Sequence, residues 1–152
     1  MNITYKNTIT AEEVNAIRKS MGWRQFQLEE IQEGLDSDDL IIAAYDEDKA
    51  VGVIKSKNGG MTGPWINPEY QFQGIEKELI TRVFDFLRPK IKPGRGISIG
   101  VSAWNEEQIE LYKSLGFQIS TPELRGIPMH ICLTNQIELT DKMFKQMDFK
   151  EE

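Results

Sequence analysis

The sequence predicts an α+β fold, a central mixed sheet with helices on both faces, and three observations carry that expectation. At 152 residues the chain can bury one proper core and not two, so a single domain is expected. Apolar and polar residues alternate at the start of the chain, apolar runs of strand length follow at 40–45 and 50–54, and the spacing becomes helical across 75–87. Strands come first, followed by strand, helix, strand, helix and strand, an order that requires a mixed sheet with helices packed on it.

Ile3 and Tyr5 alternate with polar neighbours as a first strand. Thr10-Ala11-Glu12-Glu13 has the spacing of a capping box, in which a threonine hydroxyl and a glutamate three residues on satisfy each other's backbone amides, and the helix it opens turns Val14, Ile17 and Met21 inward before stopping at Gly22. A second short helix after Trp23 and Arg24 carries Leu28, Ile31 and Leu35, and Asp36-Ser37-Asp38-Asp39 ends it. Residues 40–45 and 50–54 are strands flanking the polar loop Asp46-Glu47-Asp48-Lys49. Asn58-Gly59-Gly60 turns the chain into a shorter strand, Met61 to Ile66, interrupted by Gly63 and Pro64. The central helix places Ile75, Leu79, Val83, Phe86 and Leu87 on one face and ends near Arg88-Pro89. Ile97, Ile99 and Val101 form a strand; a helix capped at Asn105 carries Ile109, Tyr112 and Leu115 and closes at Gly116. Phe117 and Ile119 open another strand, and Pro128 to Leu133 is the last. Residues 134–152 form a tail, helical from Thr140 onward or partly ordered, whose Met143, Phe144 and Met147 could dock on a second copy, giving a homodimer, or on the domain's own sheet edge.

Composition narrows the partners. With 24 acidic against 18 basic residues the net charge is -6, and no lysine or arginine cluster builds a nucleic-acid groove. A cationic amine is the better match. The lone Cys132 cannot form an intramolecular disulfide, which fits a reducing cytoplasm. The N-terminal residues lack a signal-peptide stretch and no apolar run reaches the length of a bilayer span, so no membrane association is expected. One histidine, His130, in an apolar strand pattern with one cysteine makes no metal-ligand set.

The chemistry concentrates in the turn from Asn67 to Lys77. A strand end and a tight turn lead into a long helix, whose first amides have no intrahelical partner and whose macrodipole is positive there. Gly74 removes the side chain that would block an approaching phosphate. Glu76 puts a carboxylate where an anion would sit, and it either points into solvent or folds back to cap the free amides itself. The plainer reading is that Gly74 permits the bend while Gln71 or Gln73 caps the helix.

The Pro68-Glu69-Tyr70-Gln71-x-Gln73-Gly74-Ile75 turn, taken with Asn105-x-x-Gln108-x-x-x-Tyr112-x-x-x-Gly116-Phe117 and the element order, resembles the GNAT superfamily of acetyl-CoA-dependent N-acetyltransferases over residues 1–133. The resemblance implies acetyl-CoA as cosubstrate and a small-molecule or peptidyl amine as acceptor. It implies that the backbone amides of Phe72, Gln73, Gly74, Ile75, Glu76 and Lys77, with Gln71 ahead of them, hold the CoA pyrophosphate. Phe72 and Glu76 depart from the family pattern, since small or basic residues are usual at the first and a small residue at the second. Trp65 and Ile66 would offer main-chain groups to the pantetheine arm and polarise the acyl carbonyl. Asn105 would contact CoA, although its capping position explains it equally. Tyr112 would protonate the departing thiolate, or else is a core aromatic with its hydroxyl at the rim. For the general base Glu69, Tyr45, Glu47 and a chain of waters stay open. Trp23 and Phe26 either line the acceptor pocket and receive a cation on their rings, or staple the first two helices together. The other functional class compatible with these residues is a GNAT-like binding or regulatory module that has lost CoA.

Overall fold

The computed structural model describes residues 2–90, 96–102, 106–119 and 126–132, and for 96–102, 119 and 126–132 the backbone alone. Asn105, the tail 134–152 and Leu133 lie outside the described residues. Two compact units divide the chain, Met1–Val83 and Phe84–Glu152.

The first unit is a four-stranded antiparallel sheet in the order β1-β2-β3-β4, formed by β1 (Ile3–Lys6), β2 (Leu40–Asp46), β3 (Lys49–Lys57) and β4 (Gly60–Ile66). Helices α1 (Ala11–Ser20) and α2 (Leu28–Ser37) come after β1, and α3 (Ile75–Leu87) comes after β4 and a single 3-10 turn at Pro68–Tyr70. The capping box at α1 forms as expected: the Glu13 amide donates to Thr10 Oγ1 at 3.1 Å and the Thr10 amide to Glu13 Oε1 at 3.0 Å. Val14 and Ile17 turn inward into a cluster with Ile9, Ile31, Leu35, Ala43, Tyr45 and Val53, and Met21 packs against its edge. Leu28, expected inward, is 41% exposed, because it sits in the first turn of α2 beyond the cluster.

The β3–β4 ladder carries an irregularity that shapes the edge of the sheet. Val53 pairs with Trp65 and Lys55 with Thr62, so the two residues Gly63 and Pro64 face Ile54 alone. This is a bulge, which bends a strand and re-aims the residues beyond it. Gly63 stands at φ +101 with Val53 O and Trp65 N both 3.0 Å from where a Cβ would lie, so both conformation and space demand glycine. Pro64 is accommodated at this point because β4 is an edge strand.

Helix α3 buries Ile75, Leu79, Ile80, Val83, Phe84 and Leu87. The apolar stripe is wider than expected and takes in Phe84, with Phe86 only partly buried. In the second unit β5 (Gly96–Ser102), β7 (Gly126–Cys132) and β6 (Gln118–Ile119) form an antiparallel sheet in the order β5-β7-β6, with α4 (Glu106–Ser114) between β5 and β6.

Tyr45 donates its hydroxyl to Glu13 Oε1 at 2.8 Å, which ties the sheet to the α1 cap. Burial and that carboxylate push the Tyr45 hydroxyl up to about 12. Burial alone would raise Glu13, but hydrogen bonds from Thr10 and Tyr45 outweigh it and hold the carboxyl below its ordinary value. A depressed carboxyl stabilises the fold above its unfolded value, about 4.3, and loses that contribution as pH falls through its folded value. Glu13→Ala is therefore expected to cost about 1 kcal/mol at pH 7, with the gap to wild type narrowing at an acid pH below the folded value. Urea unfolding at the two pH values reads this directly, and a gap that stays constant refutes it.

Candidate active site

The segment between β4 and α3 is braced by its own side chains. Asn67 Oδ1 accepts from the Glu69 amide at 3.0 Å, and Pro68 opens the 3-10 turn where no N–H is needed. Gln71 Nε2 donates to Ile66 O at 3.2 Å and Gln73 Nε2 to Glu69 O at 2.9 Å. Tyr70 donates its hydroxyl to Asp46 Oδ2 at 2.7 Å, tying the turn to the β2–β3 hairpin. That bond holds the Asp46 carboxyl below and the Tyr70 phenol above their ordinary values. Sequence reasoning misses the Tyr70–Asp46 tether, since a tyrosine and an aspartate 24 positions apart carry no local signal.

Of the two alternatives for Glu76, the second is realised. Its side chain folds back into the protein, 5% exposed, and Oε2 accepts from the Phe72 amide at 2.6 Å. Oε1 is buried and has no hydrogen-bond partner among the described residues. A carboxylate with one bond out of the several it can accept is costly to bury, and the positive end of α3 offsets part of that cost. The bond has a conformational consequence. Phe72 is held at φ +59, a left-handed conformation that costs a side-chain-bearing residue roughly 1–2 kcal/mol, with its ring 47% exposed. Gly74 stands at φ +99, with open space where a Cβ would be, so glycine is required there by conformation alone.

Beyond Phe72 the turn keeps its donors. The amides of Gln73, Gly74, Ile75, Glu76 and Lys77 have no partner among the described residues, the first bond back onto the turn being Glu78 N to Gly74 O at 3.1 Å. A pyrophosphate therefore meets an open row of amides at the start of a 13-residue helix, with a carboxylate lodged behind them. The donors fit the group and the charge of Glu76 opposes it.

On β4 the two expected main-chain ligands differ. Asn67 N donates to Val51 O at 2.8 Å, so by the alternation of an antiparallel ladder Trp65 faces β3 and Ile66 directs its N–H and C=O to the free edge. Gln71 takes the Ile66 carbonyl, which leaves the Ile66 N–H as the outward donor. Among the candidate bases, Tyr45 is committed to Glu13 as a donor, and Glu47 and Glu69 are exposed on the surface. In the second unit Tyr112 is 3% exposed and packs edge-on to Phe117, ring centroids 5.3 Å apart. Phe117 N donates to Tyr112 O and Gly116 N to Lys113 O, both at 3.0 Å, with Gly116 at φ +95. This is the Schellman close of α4, with an apolar contact between its flanking residues, and it gives the Tyr-x-x-x-Gly-Phe spacing a structural role of its own. Gln108 is partly buried on the same helix.

The residue pattern of the Acetyltransferase (GNAT) family matches residues 9–117. The chain belongs to the GNAT acetyltransferase family. Solved structures agree on the fold at low identity. The ribosomal-protein-S18-alanine N-acetyltransferase of Escherichia coli is 18% identical with a TM-score of 0.69, covering 88% of this chain and 95% of its own. The PaiA N-acetyltransferase of Thermoplasma acidophilum, in complex with coenzyme A, is 18% identical with a TM-score of 0.63 over 86% and 98%. NAA60 of Arabidopsis thaliana, in complex with a bisubstrate analogue, is 17% identical with a TM-score of 0.68 over 88% and 99%. No curated protein matches this GNAT chain by sequence. No helix among the described residues is long and apolar enough to cross a membrane, and no cluster of metal-ligating side chains occurs among them.

A charge-assisted hydrogen bond of the Phe72–Glu76 kind contributes about 1.5–3 kcal/mol. In Glu76→Ala the Phe72 amide should exchange with solvent roughly 10–100-fold faster, while amides in the middle of α3 keep their rates. Residue-resolved hydrogen exchange tests it, and an unchanged Phe72 rate contradicts the brace.

Proposed function

We propose that this GNAT chain transfers an acetyl group from acetyl-CoA directly to the amine of a small molecule or peptide. The observation that carries the reading is the row of unpartnered amides from Gln73 to Lys77 at the head of α3, the arrangement that binds a phosphate through dipole and hydrogen bonds together. The family match runs across both compact units, which supports one domain over residues 1–133.

CoA supplies the activated thioester. The amine nitrogen bonds to the acyl carbon, the carbon–sulfur bond breaks, and the thiolate leaves and takes up a proton. In our reading the outward Ile66 N–H polarises the acyl carbonyl, while Tyr112, on the strength of its place in the family motif, gives the proton to sulfur. The amine loses one proton; Tyr45 is held as a donor to Glu13, and in our reading a water chain accepts that proton, with the exposed Glu47 and Glu69 as the side-chain alternatives. Tyr112→Phe should lower turnover by about 100-fold or more with little change in KM, and an unaltered rate removes the tyrosine from the chemistry.

A second reading is favoured by the Glu76–Phe72 bond: a GNAT-fold binding module whose anion site is filled by its own carboxylate. Two unit charges ~4 Å apart repel by ~1 kcal/mol in water and ~4 kcal/mol near a protein surface. Glu76→Gly should accordingly tighten CoA by about one to three orders of magnitude. Calorimetric titration with acetyl-CoA separates the readings. Micromolar binding by wild type supports the transferase; binding that appears only in Glu76→Gly supports the module; absence of binding in both overturns the phosphate assignment.

A further inference from the structure

Beside the loop between α1 and α2 lies an arginine of α1 whose charge no carboxylate answers among the described residues. Arg18 lies on the inward stripe of α1 with Val14, Ile17 and Met21, and is 8% exposed. Its guanidinium carbon stands 4.0 Å from the Phe26 ring centroid, 5.0 Å from Trp65 and 5.4 Å from Trp23. Trp23 meets Trp65 edge-to-face at 5.9 Å. The cation expected on these rings is therefore the chain's own.

Arg18 Nε donates to Arg24 O at 2.9 Å, and that is the only hydrogen bond of the guanidinium among the described residues. A guanidinium has five donors. No carboxylate pairs with it among the described residues, and its terminal nitrogens are not among the sealed polar atoms, so what remains exposed of the residue includes them. The neighbours add charge of the same sign. The Arg24 guanidinium lies 5.5 Å from the Phe26 centroid, and Lys55 Nζ lies 5.5 Å from Trp65, paired with Asp38 at 3.6 Å.

A structural staple would not need that charge. Asn15 already clamps the loop, donating to Phe26 O at 2.8 Å and accepting from Phe26 N at 3.0 Å. Ring faces attract a cation but supply no acceptors, and a largely desolvated guanidinium keeps its demand for oxygen ligands. In a chain of net charge -6, three cations lie against the rings of Phe26 and Trp65. Trp23 and Phe26, 44% and 37% exposed, offer apolar walls beside it. Trp65 belongs to β4, the strand that would present the acyl group.

We infer that Arg18, with Arg24 and Lys55, forms an oxyanion subsite walled by Trp23, Phe26 and Trp65, which takes the carboxylate or phosphate of an acceptor amine. The placement on the acceptor side rests on the transferase reading; the anion site itself does not. The planar fork of Arg18 suits two oxygens at once, so the substrate class is an amine bearing a carboxylate or phosphate and an apolar or aromatic body.

The test uses the full chain without acetyl-CoA and monitors tryptophan fluorescence during titration with benzoate, phenyl phosphate, benzamide and benzylamine. Benzoate or phenyl phosphate should bind at least about tenfold tighter than benzamide, and benzylamine weakest, as expected for charge-assisted bonds. Whichever anion binds tighter identifies the head group. Arg18→Gln should abolish the preference, and Arg24→Gln, at an exposed residue, and Lys55→Gln, which also frees Asp38 from its ion pair, should each weaken it, with circular dichroism confirming the fold. If Arg18→Gln fails to fold, the exposed Arg24→Gln variant decides. Equal binding of benzamide, tighter binding of benzylamine, absence of binding up to millimolar concentration, or a preference indifferent to these changes overturns the subsite. A chain that binds acetyl-CoA without this anion preference loses the subsite and keeps the transferase reading; the preference without CoA uptake does the reverse.

Discussion

The bond from the Phe72 amide to Glu76 sets the shape of the turn at the head of α3. It holds a phenylalanine in a left-handed conformation, and with Gly74 it directs the next amides outward. It also stores a buried negative charge behind those amides, with one oxygen lacking any hydrogen bond among the described residues. The same carboxylate thus pre-shapes the donors for an anion and opposes the anion they would hold. Preorganisation lowers the cost of binding while like charge raises it, and the balance between the two determines how this GNAT chain handles CoA.

The cross-bracing around that turn spreads its influence. Gln71 reaches back to β4, Gln73 to Glu69, and Tyr70 to Asp46 in the β2–β3 hairpin. β4 is the edge of its sheet, and beyond the bulge at Gly63 and Pro64 alternation turns the Ile66 main chain outward. Hairpin, edge strand and turn are thereby fixed by hydrogen bonds that exist without any ligand. Rigid support of this kind is what a site needs if it is to orient a thioester and an amine.

Electrostatics divide the first unit. Glu76 and Glu78 crowd the first turn of α3, whereas Arg18, Arg24 and Lys55 gather around the aromatic rings beside β4. The acidic excess of the whole chain points toward a cationic acceptor, but net charge describes the average surface and not a pocket. Three rings that could have received a ligand's cation are already filled by Arg18, and the sign of the attraction changes with it.

Much of the fold was legible because its signals are local. The capping box at Thr10 and Glu13, the apolar runs of β2 and β3, the stripe of α3 and the glycine stop at Gly116 each depend on residues within a turn or two of one another. The family resemblance was legible for the same reason, since its motifs are short segments at a fixed separation. Less could be read at the site. The sequence by itself determined that a carboxylate occupies the second position of α3 and that an arginine lies on the apolar stripe of α1. Only the tertiary structure decided that Glu76 turns inward onto Phe72, that Tyr70 finds Asp46, and that Trp65 on β4 closes the rings around Arg18. Those outcomes depend on contacts that burial, packing and unpaired charge settle in competition, most of them between residues far apart in the chain, and no local pattern encodes the result.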